Sequence, residues 1–202
     1  MRFKFVYLLF FGFFLFSGYN VHSADLENGK KLFKYCTLCH GNVGQGIKGG
    51  DFPKIGGLPK YYLMNQHNHF VTEERYNPAM LTIGRLDKLS DKEKDDLYSY
   101  ISSIDIIKAA PTLQIPTFSG NAKKGKKLYK DDCKTCHGKK AEGKKKKNAP
   151  PTAQQYSEYL LRQIDFFTNK HRIHDEEDDE TFDDYSREEI IDILTFISTL
   201  DD

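Results

Sequence analysis

The four cysteines of this 202-residue chain fall into two copies of one short pattern, Cys-x-x-Cys-His. Residues 36–40 read CTLCH, and residues 133–137 read CKTCH. Two thiols at this spacing can add to the two vinyl groups of one haem, and the adjacent histidine can bind the iron. The pattern therefore predicts two covalently attached haem c groups. The predicted attachment residues are Cys36, Cys39, Cys133 and Cys136, and the predicted proximal iron ligands are His40 and His137.

Other uses of paired cysteines fit the spacing less well. Zinc sites made from two such pairs usually separate them by about 15–20 residues, whereas 96 residues lie between Cys36 and Cys133. A thioredoxin-like redox motif is expected in a βαβ setting, and the sequence around neither pair indicates one. A disulfide would not require a histidine directly after each pair. Covalent haem attachment is therefore the favoured interpretation.

The N-terminus predicts export from the cytoplasm. Arg2 and Lys4 precede an apolar run over residues 5–16, and a short, more polar stretch with small residues follows. This order is typical of a secretory signal peptide, which we place at residues 1–24. An uncleaved anchor is the alternative, although the apolar run is short for a membrane span of about 20 residues. Because haem is attached to c-type motifs outside the cytoplasm, we expect a periplasmic protein without a membrane anchor of its own.

The composition after the signal peptide excludes one class of protein. The remaining 178 residues contain 28 basic and 29 acidic residues. Such a balance argues against a nucleic-acid-binding protein. The length suffices for two domains of about 90 residues, a size that is viable when a haem fills each core.

The chain is an internal repeat with a period of 96 or 97 residues. Residues 29–34 match residues 125–130, and residues 90–102 match residues 186–198. Between these blocks, Tyr62, Gln66, Phe70 and Arg75 match Tyr159, Gln163, Phe167 and Arg172. A repeat of this length implies one arrangement of helices that is used twice.

The spacing of apolar residues is helical in both halves, so we expect an all-α protein. The predicted helices of the first half lie near residues 26–35, 59–70 and 90–104. Those of the second half lie near residues 122–132 and 154–168 and begin again at residue 186. The last helix of each half opens with a capping box, formed by Ser90 and Glu93 and by Ser186 and Glu189.

A segment with two prolines divides the halves. Pro111 and Pro116 cannot continue a helix and indicate a linker. The predicted domains are therefore residues 25–104 and residues 121–202, joined by a linker over residues 105–120.

Each half resembles a class I cytochrome c domain, and the pair resembles the di-haem cytochrome c4 family. The resemblance rests on the tandem repeat, on the haem motifs, and on the segment FPKIGG at residues 52–57 with Gln66. It implies two tandem domains whose helices wrap around a covalent haem. It also implies that the first and last helices of a domain cross, with Gly29, Phe33 and Tyr100 in contact in one half and Gly125, Tyr129 and Phe196 in the other.

The resemblance further implies that a loop-proline carbonyl orients each proximal imidazole. Pro53 is the matching residue in the first half, and either Pro150 or Pro151 matches in the second. Such a bond would fix the tautomer of the histidine and raise its basicity as a ligand.

The distal iron ligand of the first haem is predicted to be Met80. Only Met64 and Met80 remain after removal of the signal peptide. Met80 lies in the loop where the family places its axial methionine, whereas Met64 lies on an apolar helix face and is expected in the core. His67 and His69 lie beside the same helix and are expected to be surface or packing residues.

The second half has no methionine. The positions aligned with Met80 are Glu176 or Glu177, and a carboxylate is a poor ligand in a buried site. His174 is the predicted distal ligand and His171 is the alternative; a five-coordinate iron or a lysine ligand also remains open. Two histidine ligands would give the second haem a lower potential than a histidine–methionine pair, so electrons would pass from the second haem to the first.

Charged loops flank the second haem motif. Residues 139–147 include six lysines, and residues 175–180 are all acidic. These loops are interpreted either as solvated surface or as charges that steer a redox partner toward the protein.

The expected function is that of a periplasmic electron carrier. The resemblance implies redox protein partners, namely a quinol-oxidising complex as donor and a terminal oxidase as acceptor. One alternative is the haem subunit of a flavocytochrome of the sulfide dehydrogenase type. Another is an enzyme that binds a small molecule such as peroxide, nitric oxide or a sulfur compound at an open second iron.

Overall fold

The structure is a computed structural model, and it describes residues 23–47, 49–111, 113, 115, 118–176 and 178–200. Nearly all of the predicted signal peptide lies outside the described residues. In the part of the chain that the structure describes, no helix is long and apolar enough to cross a membrane.

The described residues form helices and no strands, and one isolated β-bridge joins Lys144 to Ala149. The helices of the first domain are α1 (Leu26–Phe33), α2 (Thr37–His40), α3 (Lys60–Val71), α4 (Pro78–Thr82), α5 (Asp91–Ser103) and α6 (Ile106–Ala109). Those of the second domain are α7 (Ala122–Leu128), α8 (Lys134–His137), α9 (Ser157–Thr168) and α10 (Arg187–Ser198). The predicted all-α fold is confirmed, and the helix positions follow the predicted repeat.

The first and last helices of each domain cross at close range, as the resemblance implied. A Cβ atom on Gly29 would lie 2.2 Å from the backbone oxygen of Asp96, and one on Gly125 would lie 1.9 Å from that of Asp192. Glycine therefore lets the two backbones of each crossing touch. Aromatic pairs flank the crossings, with ring centroids 5.6 Å apart for Phe33–Tyr100 and 5.4 Å apart for Tyr129–Phe196.

A buried aspartate ties each crossing to the start of its first helix. Asp96 accepts hydrogen bonds from the Asp25 backbone N–H (2.7 Å) and from the Asn28 amide (2.9 Å). In the second domain, Asp192 accepts from the Asn121 backbone N–H at 2.6 Å. The bonds from Asp25 and Asn121 satisfy backbone N–H groups at the helix N-termini that have no partner within the helix.

Both predicted capping boxes are present. The Ser90 side chain accepts from the Glu93 N–H while Glu93 accepts from the Ser90 N–H, and Ser186 and Glu189 make the same pair of bonds. Each box satisfies two backbone donors at the start of a helix. The last helix of each domain therefore begins where the sequence predicts.

The second domain contains one extra residue before its haem motif. The offset between the halves is 96 at residues 125–130, 97 from Cys133 to Arg172, and 96 again at residues 186–198. The structure absorbs this residue in a π-helical turn over Tyr129–Cys133, directly after α7. A π-turn accommodates an insertion without ending the helix, which explains why the predicted helix 122–132 changes its hydrogen-bonding pattern after Leu128.

The segment that was expected to be a linker begins with a helix. Asp105 caps α6 through the Lys108 N–H, and Ile106 is buried. A Cβ atom on Gly56 would lie 3.0 Å from the Ile106 side chain, so α6 packs on the loop after the first haem motif. The start of this segment therefore belongs structurally to the first domain.

We expect Asp96→Asn to lower the free energy of unfolding at neutral pH by about 1–2 kcal/mol. Bonds from Lys92, Asn28 and the Asp25 backbone lower the pKa of the buried Asp96 carboxyl to about 2. Because this pKa lies below the unfolded value of about 4, the stabilisation is complete above that pH and is lost as the pH falls toward 2.

Denaturant unfolding of the haem-containing protein at neutral and acidic pH would measure this effect. Asp95→Asn is the matched control, since it removes the same charge one residue away, from a partly exposed carboxylate whose surface ion pair with Lys60 contributes little to stability. A loss of stability in Asp96→Asn that is independent of pH would contradict the assignment.

Candidate haem sites

The proximal histidines are positioned by short helices and by proline carbonyls. His40 and His137 end α2 and α8, and each is followed by a glycine with positive φ, Gly41 at 80° and Gly138 at 88°. The Nδ1 atom of His40 lies 2.9 Å from the Pro53 oxygen, and that of His137 lies 3.0 Å from the Pro150 oxygen. The structure thus selects Pro150 over Pro151.

These contacts determine which imidazole nitrogen faces the site. A carbonyl oxygen can only accept, so Nδ1 carries the proton and Nε2 presents a lone pair. Burial lowers the pKa of both His40 and His137, although the proline carbonyls oppose this effect. Both rings are therefore neutral, which is the form that binds a metal.

The four cysteines are half-buried and form no disulfide. Burial raises the pKa of the Cys36 thiol to about 11 and that of Cys133 to about 12. Such apolar surroundings disfavour a thiolate and suit a neutral thioether. The cysteine environments therefore fit a haem bound covalently through these sulfur atoms.

In the second domain the structure places His174 opposite His137. The two ring centroids are 6.1 Å apart, and the ring planes differ by 18°. The Nδ1 atom of His174 lies 2.6 Å from an Asp179 carboxylate oxygen, so its Nε2 is also left free. Phe167 and Phe182 stack on each other, and both pack against the His174 ring with their centroids 4.9 Å away.

This separation fits two imidazoles that share one metal. Metal–imidazole nitrogen bonds are about 2.0–2.1 Å long, and a ring centre lies about 1 Å beyond its nitrogen, so two rings on opposite sides of a metal have centres about 6 Å apart. The observed 6.1 Å between His137 and His174 meets this requirement. The residues of the second domain therefore fit a haem iron between these two rings.

Asp179 is the residue that sequence reasoning missed here. It lies in the acidic run, where nothing distinguishes it from its neighbours. Burial raises its pKa, but hydrogen bonds from Thr181 and His174 lower the pKa more. The Lys170 ammonium also donates to the Asp179 backbone oxygen at 2.6 Å. Part of the acidic run thus holds His174 in place.

The other predicted site residues take separate positions. Met80 is half-buried in α4, where Asn77 caps the helix. Met64 packs against the core of the first domain, as expected.

Three further histidines among the described residues make other contacts. His171 is exposed and contacts Phe166 edge-on. His67 is a buried packing residue hydrogen-bonded to the Tyr98 hydroxyl at 2.7 Å, and the ring of His69 lies 3.6 Å from Glu74.

A two-fold cluster of arginine and glutamine side chains joins the domains. Arg75 donates to Gln66 (2.7 Å) in its own domain and to Gln163 (3.1 Å) across the boundary. Arg172 donates to Gln163 (2.6 Å) and to Gln66 (2.8 Å). The Arg172 Nε atom is buried without a partner. Sequence comparison of the halves showed these residues as matched pairs but did not show that they meet.

This cluster offers two guanidinium groups that bind neutral partners among the described residues. Beyond the glutamines, Arg75 donates to the Tyr159 hydroxyl at 2.7 Å. Two neighbouring half-buried cations without a carboxylate among the described residues are unfavourable, and an anion would offset this cost. Haem carries two propionate carboxylates, so the cluster fits the presence of haem at the domain boundary.

Hydrogen bonds between loops of the two domains complete the domain boundary. Gln155 accepts from the Lys54 N–H (3.0 Å) and donates to the Lys54 oxygen (2.9 Å), and this pair is buried. The Tyr156 hydroxyl donates to the Gln45 oxygen at 3.1 Å, and the Tyr61 hydroxyl donates to the Ala149 oxygen at 3.0 Å. Pro53, whose carbonyl orients the first proximal histidine, directly precedes Lys54. The domain contact is therefore coupled to the first haem site.

Comparison with known proteins agrees with this geometry. The family model for cytochrome c matches residues 26–105 and again residues 122–201. Cytochrome c4 of Stutzerimonas stutzeri is 27% identical over 172 residues, which cover 76% of this chain and 78% of that protein. The crystal structure of reduced recombinant cytochrome c4 from Pseudomonas stutzeri has a TM-score of 0.67 at 24% identity, covering 86% of this chain and 97% of that chain.

A second kind of relative is also similar. The thiosulfate dehydrogenase electron acceptor of Thiomonas intermedia is 31% identical over 137 residues, which cover 64% of this chain and 60% of that protein.

The fold and the two cysteine–histidine motifs define a c-type cytochrome with one haem site in each of two domains. The chain belongs to the cytochrome c family, and its tandem domains make it a di-haem cytochrome of the c4-like kind. It carries two covalently bound haem c groups and transfers electrons.

We expect Gln155→Ala to loosen the contact between the domains. The substitution removes both hydrogen bonds that the Gln155 side chain makes with the buried Lys54 backbone, at a cost of about 1 kcal/mol each. Limited proteolysis between the domains should become faster, and thermal unfolding should separate into two transitions. Asn169→Ala, an exposed amide in the same domain, is the control. Identical proteolysis of Gln155→Ala and wild type would contradict this role.

Proposed function

We propose that the protein is a periplasmic electron carrier that accepts electrons from a quinol-oxidising complex and delivers them to a terminal oxidase. The observation that carries this proposal is the pair of proximal histidines held by proline carbonyls in two joined cytochrome c domains. Similarity to cytochrome c4 proteins and, over 58% of the chain, to a cbb3-type cytochrome c oxidase subunit of Azospirillum brasilense supports it.

Within this function, each haem supplies an iron that gains and loses one electron, and the protein fixes its surroundings. The attachment residues are Cys36, Cys39, Cys133 and Cys136, and the proximal ligands are His40 and His137. In the first domain Met80 is the proposed distal ligand. The support for Met80 is its place in the sequence, in the segment between α3 and α5, where the structure forms the short helix α4.

In the second domain the proposed distal ligand is His174. Its support is the 6.1 Å separation from His137 and the nearly parallel rings. Asp179 fixes the ring orientation and leaves Nε2 for the iron, and a carboxylate partner also raises the basicity of the imidazole. The stacked rings of Phe167 and Phe182 pack against His174 and shield part of it from solvent. His171 is exposed and has no comparable contact with His137.

The arginine–glutamine cluster is proposed to receive haem propionates. Arg75 and Arg172 would neutralise the carboxylates, and the buried Nε of Arg172 would gain the partner it lacks. Because each arginine also binds the glutamine of the opposite domain, the same residues would set the relative position of the two haems.

Because the proposed distal ligands differ, electron transfer between the two haems has a preferred direction. Histidine in place of methionine lowers the potential of a haem, and axial ligands can move potentials over a span of about 0.8 V. Electrons would therefore enter at the second haem and reside on the first. With His174 as a ligand, the second haem would keep no open position, which argues against an enzyme that binds a small molecule there.

A second candidate is the electron-accepting subunit of a sulfur-compound dehydrogenase. The specific support is the similarity to the thiosulfate dehydrogenase electron acceptor of Thiomonas intermedia. In this case the donor would be a dehydrogenase protein instead of a quinol-oxidising complex.

Membranes of the source bacterium distinguish the two candidates. Under the leading proposal, quinol should reduce the added oxidised protein through the membranes, and the reduced protein should support oxygen consumption by them. Reduction that requires thiosulfate and a soluble fraction, with no response to quinol, would favour the second candidate and contradict the first.

We expect His174→Met to raise the potential of the second haem toward that of the first. The change replaces the proposed histidine ligand with a thioether, which favours the reduced iron. A spectroelectrochemical titration would measure both potentials. His171→Ala is the control and should leave both values unchanged. If the potential of the second haem changes in His171→Ala but not in His174→Met, the distal ligand is His171 instead.

We expect Met80→Ala to open the first iron. Loss of the distal thioether leaves the iron five-coordinate, so the reduced variant should bind carbon monoxide while the wild type does not. Absorption spectra before and after addition of carbon monoxide would test this. Met64→Leu, which keeps the packing of a core residue, should behave like the wild type. A Met80→Ala variant that excludes carbon monoxide would contradict the assignment.

A further inference from the structure

A groove rich in lysine lies against the haem motif of the second domain. Its volume is about 420 Å³, and it is bordered by four lysines, which are Lys126, Lys130, Lys134 and Lys139. The side chains of Tyr129, Phe196 and Leu200 give it an apolar lining. We refer to it as the lysine groove.

The lysine groove lies directly beside the second haem attachment site. Lys134 stands between the two cysteines of the motif. The Tyr129 hydroxyl donates to the backbone oxygen of Gly138 at 2.8 Å, and Gly138 directly follows His137. A molecule in this groove would therefore contact the segment that carries the haem.

The charge of the groove is not neutralised within the described residues. Lys124 on the same helix pairs with Glu189 and Asp192, whereas the four groove lysines form no ion pair in the described part of the chain. The Asp132 carboxylate accepts from the Tyr185 hydroxyl and does not border the groove. Within the described residues, the four ammonium groups around this apolar lining are therefore not engaged in ion pairs.

The first domain has lysines at only two of the four positions that correspond to the groove lysines. Lys134 and Lys139 align with Thr37 and Asn42. The neighbouring Leu38, inside the first haem motif, is 76% exposed. The two haem motifs therefore present different chemistry to solvent, basic in the second domain and apolar in the first.

We propose that the lysine groove is the docking site of an acidic, electron-donating protein. Electron-transfer complexes have small interfaces with polar rims, and lysines around an apolar lining complement carboxylates around an apolar centre. Complementary charge also accelerates encounter. The acidic run at residues 175–180 would repel the same partner and so orient it. This proposal rests on the electron-carrier function and adds the chemistry of the donor and its place of entry.

A pair of charge reversals on one helical segment tests the site. Lys126→Glu with Lys130→Glu changes the groove. Lys123→Glu with Lys127→Glu is the matched control, because these exposed lysines have the same spacing and charge but do not border the groove. Both double variants change the net charge of the protein by the same amount.

The first readout is binding of a fluorescein-labelled, glutamate-rich peptide with a central leucine, followed by haem quenching of the dye at low ionic strength. We expect the groove variant to lose about tenfold in affinity and the control to lose much less. Equal losses in both variants would show a diffuse charge effect and overturn the proposal. Tighter binding to phosphatidylglycerol vesicles than to the peptide would identify a membrane surface as the occupant and also overturn it.

The second readout is electron entry from small reductants. The anionic complex of iron(II) with EDTA should reduce the second haem more slowly in the groove variant than in the control, while hexaammineruthenium(II), a cation, should not. An unchanged rate with the anionic reductant would contradict entry at this groove. Neither readout involves quinol or an oxidase. The groove proposal can therefore fail in these experiments while the proposed electron-carrier function still passes its own test, and the reverse.

Discussion

The bond from an imidazole Nδ1 to a fixed oxygen acceptor is the interaction on which both haem sites depend. Because the acceptor cannot donate, it sets the tautomer, orients the ring and leaves Nε2 for the iron. The carbonyls of Pro53 and Pro150 fulfil this role for the proximal histidines. In the second domain Asp179 does the same for His174, so the proposed distal ligand is prepared in the same manner as the proximal one.

The two domains share one scaffold and differ where the distal ligand lies. Glycine-mediated helix crossings, capping boxes and proline carbonyls occur in both, and they fix the proximal side of each haem. The proposed distal ligands come from the segment before the last helix, which is largely exposed and differs in sequence between the domains. This division allows the distal ligand, and with it the haem potential, to change without disturbing the fold. The shared arginine–glutamine cluster joins the two domains and so holds the two sites in a fixed relation.

Much of this organisation could be predicted from sequence because local patterns encode it. The spacing of the haem motifs, the capping boxes at Ser90 and Ser186, and the helical apolar periodicity each depend on residues close together in the chain. The choice between Pro150 and Pro151 needed the structure, because adjacent residues are indistinguishable when loops vary in length. The extra residue in the second domain appeared as a change of offset, but not as a π-turn. The contact of Gln155 with Lys54 left no local signal, since its partner is a backbone in the other domain.

The central claim is that the two irons have different distal ligands, and spectroscopy of the oxidised protein tests it most directly. Near-infrared magnetic circular dichroism, combined with electron paramagnetic resonance, reports the axial pair of each low-spin iron. We expect one histidine–methionine signature, from the first domain, and one bis-histidine signature, from the second, in equal amounts. Two histidine–methionine signatures, or a high-spin signal from one iron in the intact protein, would contradict the claim.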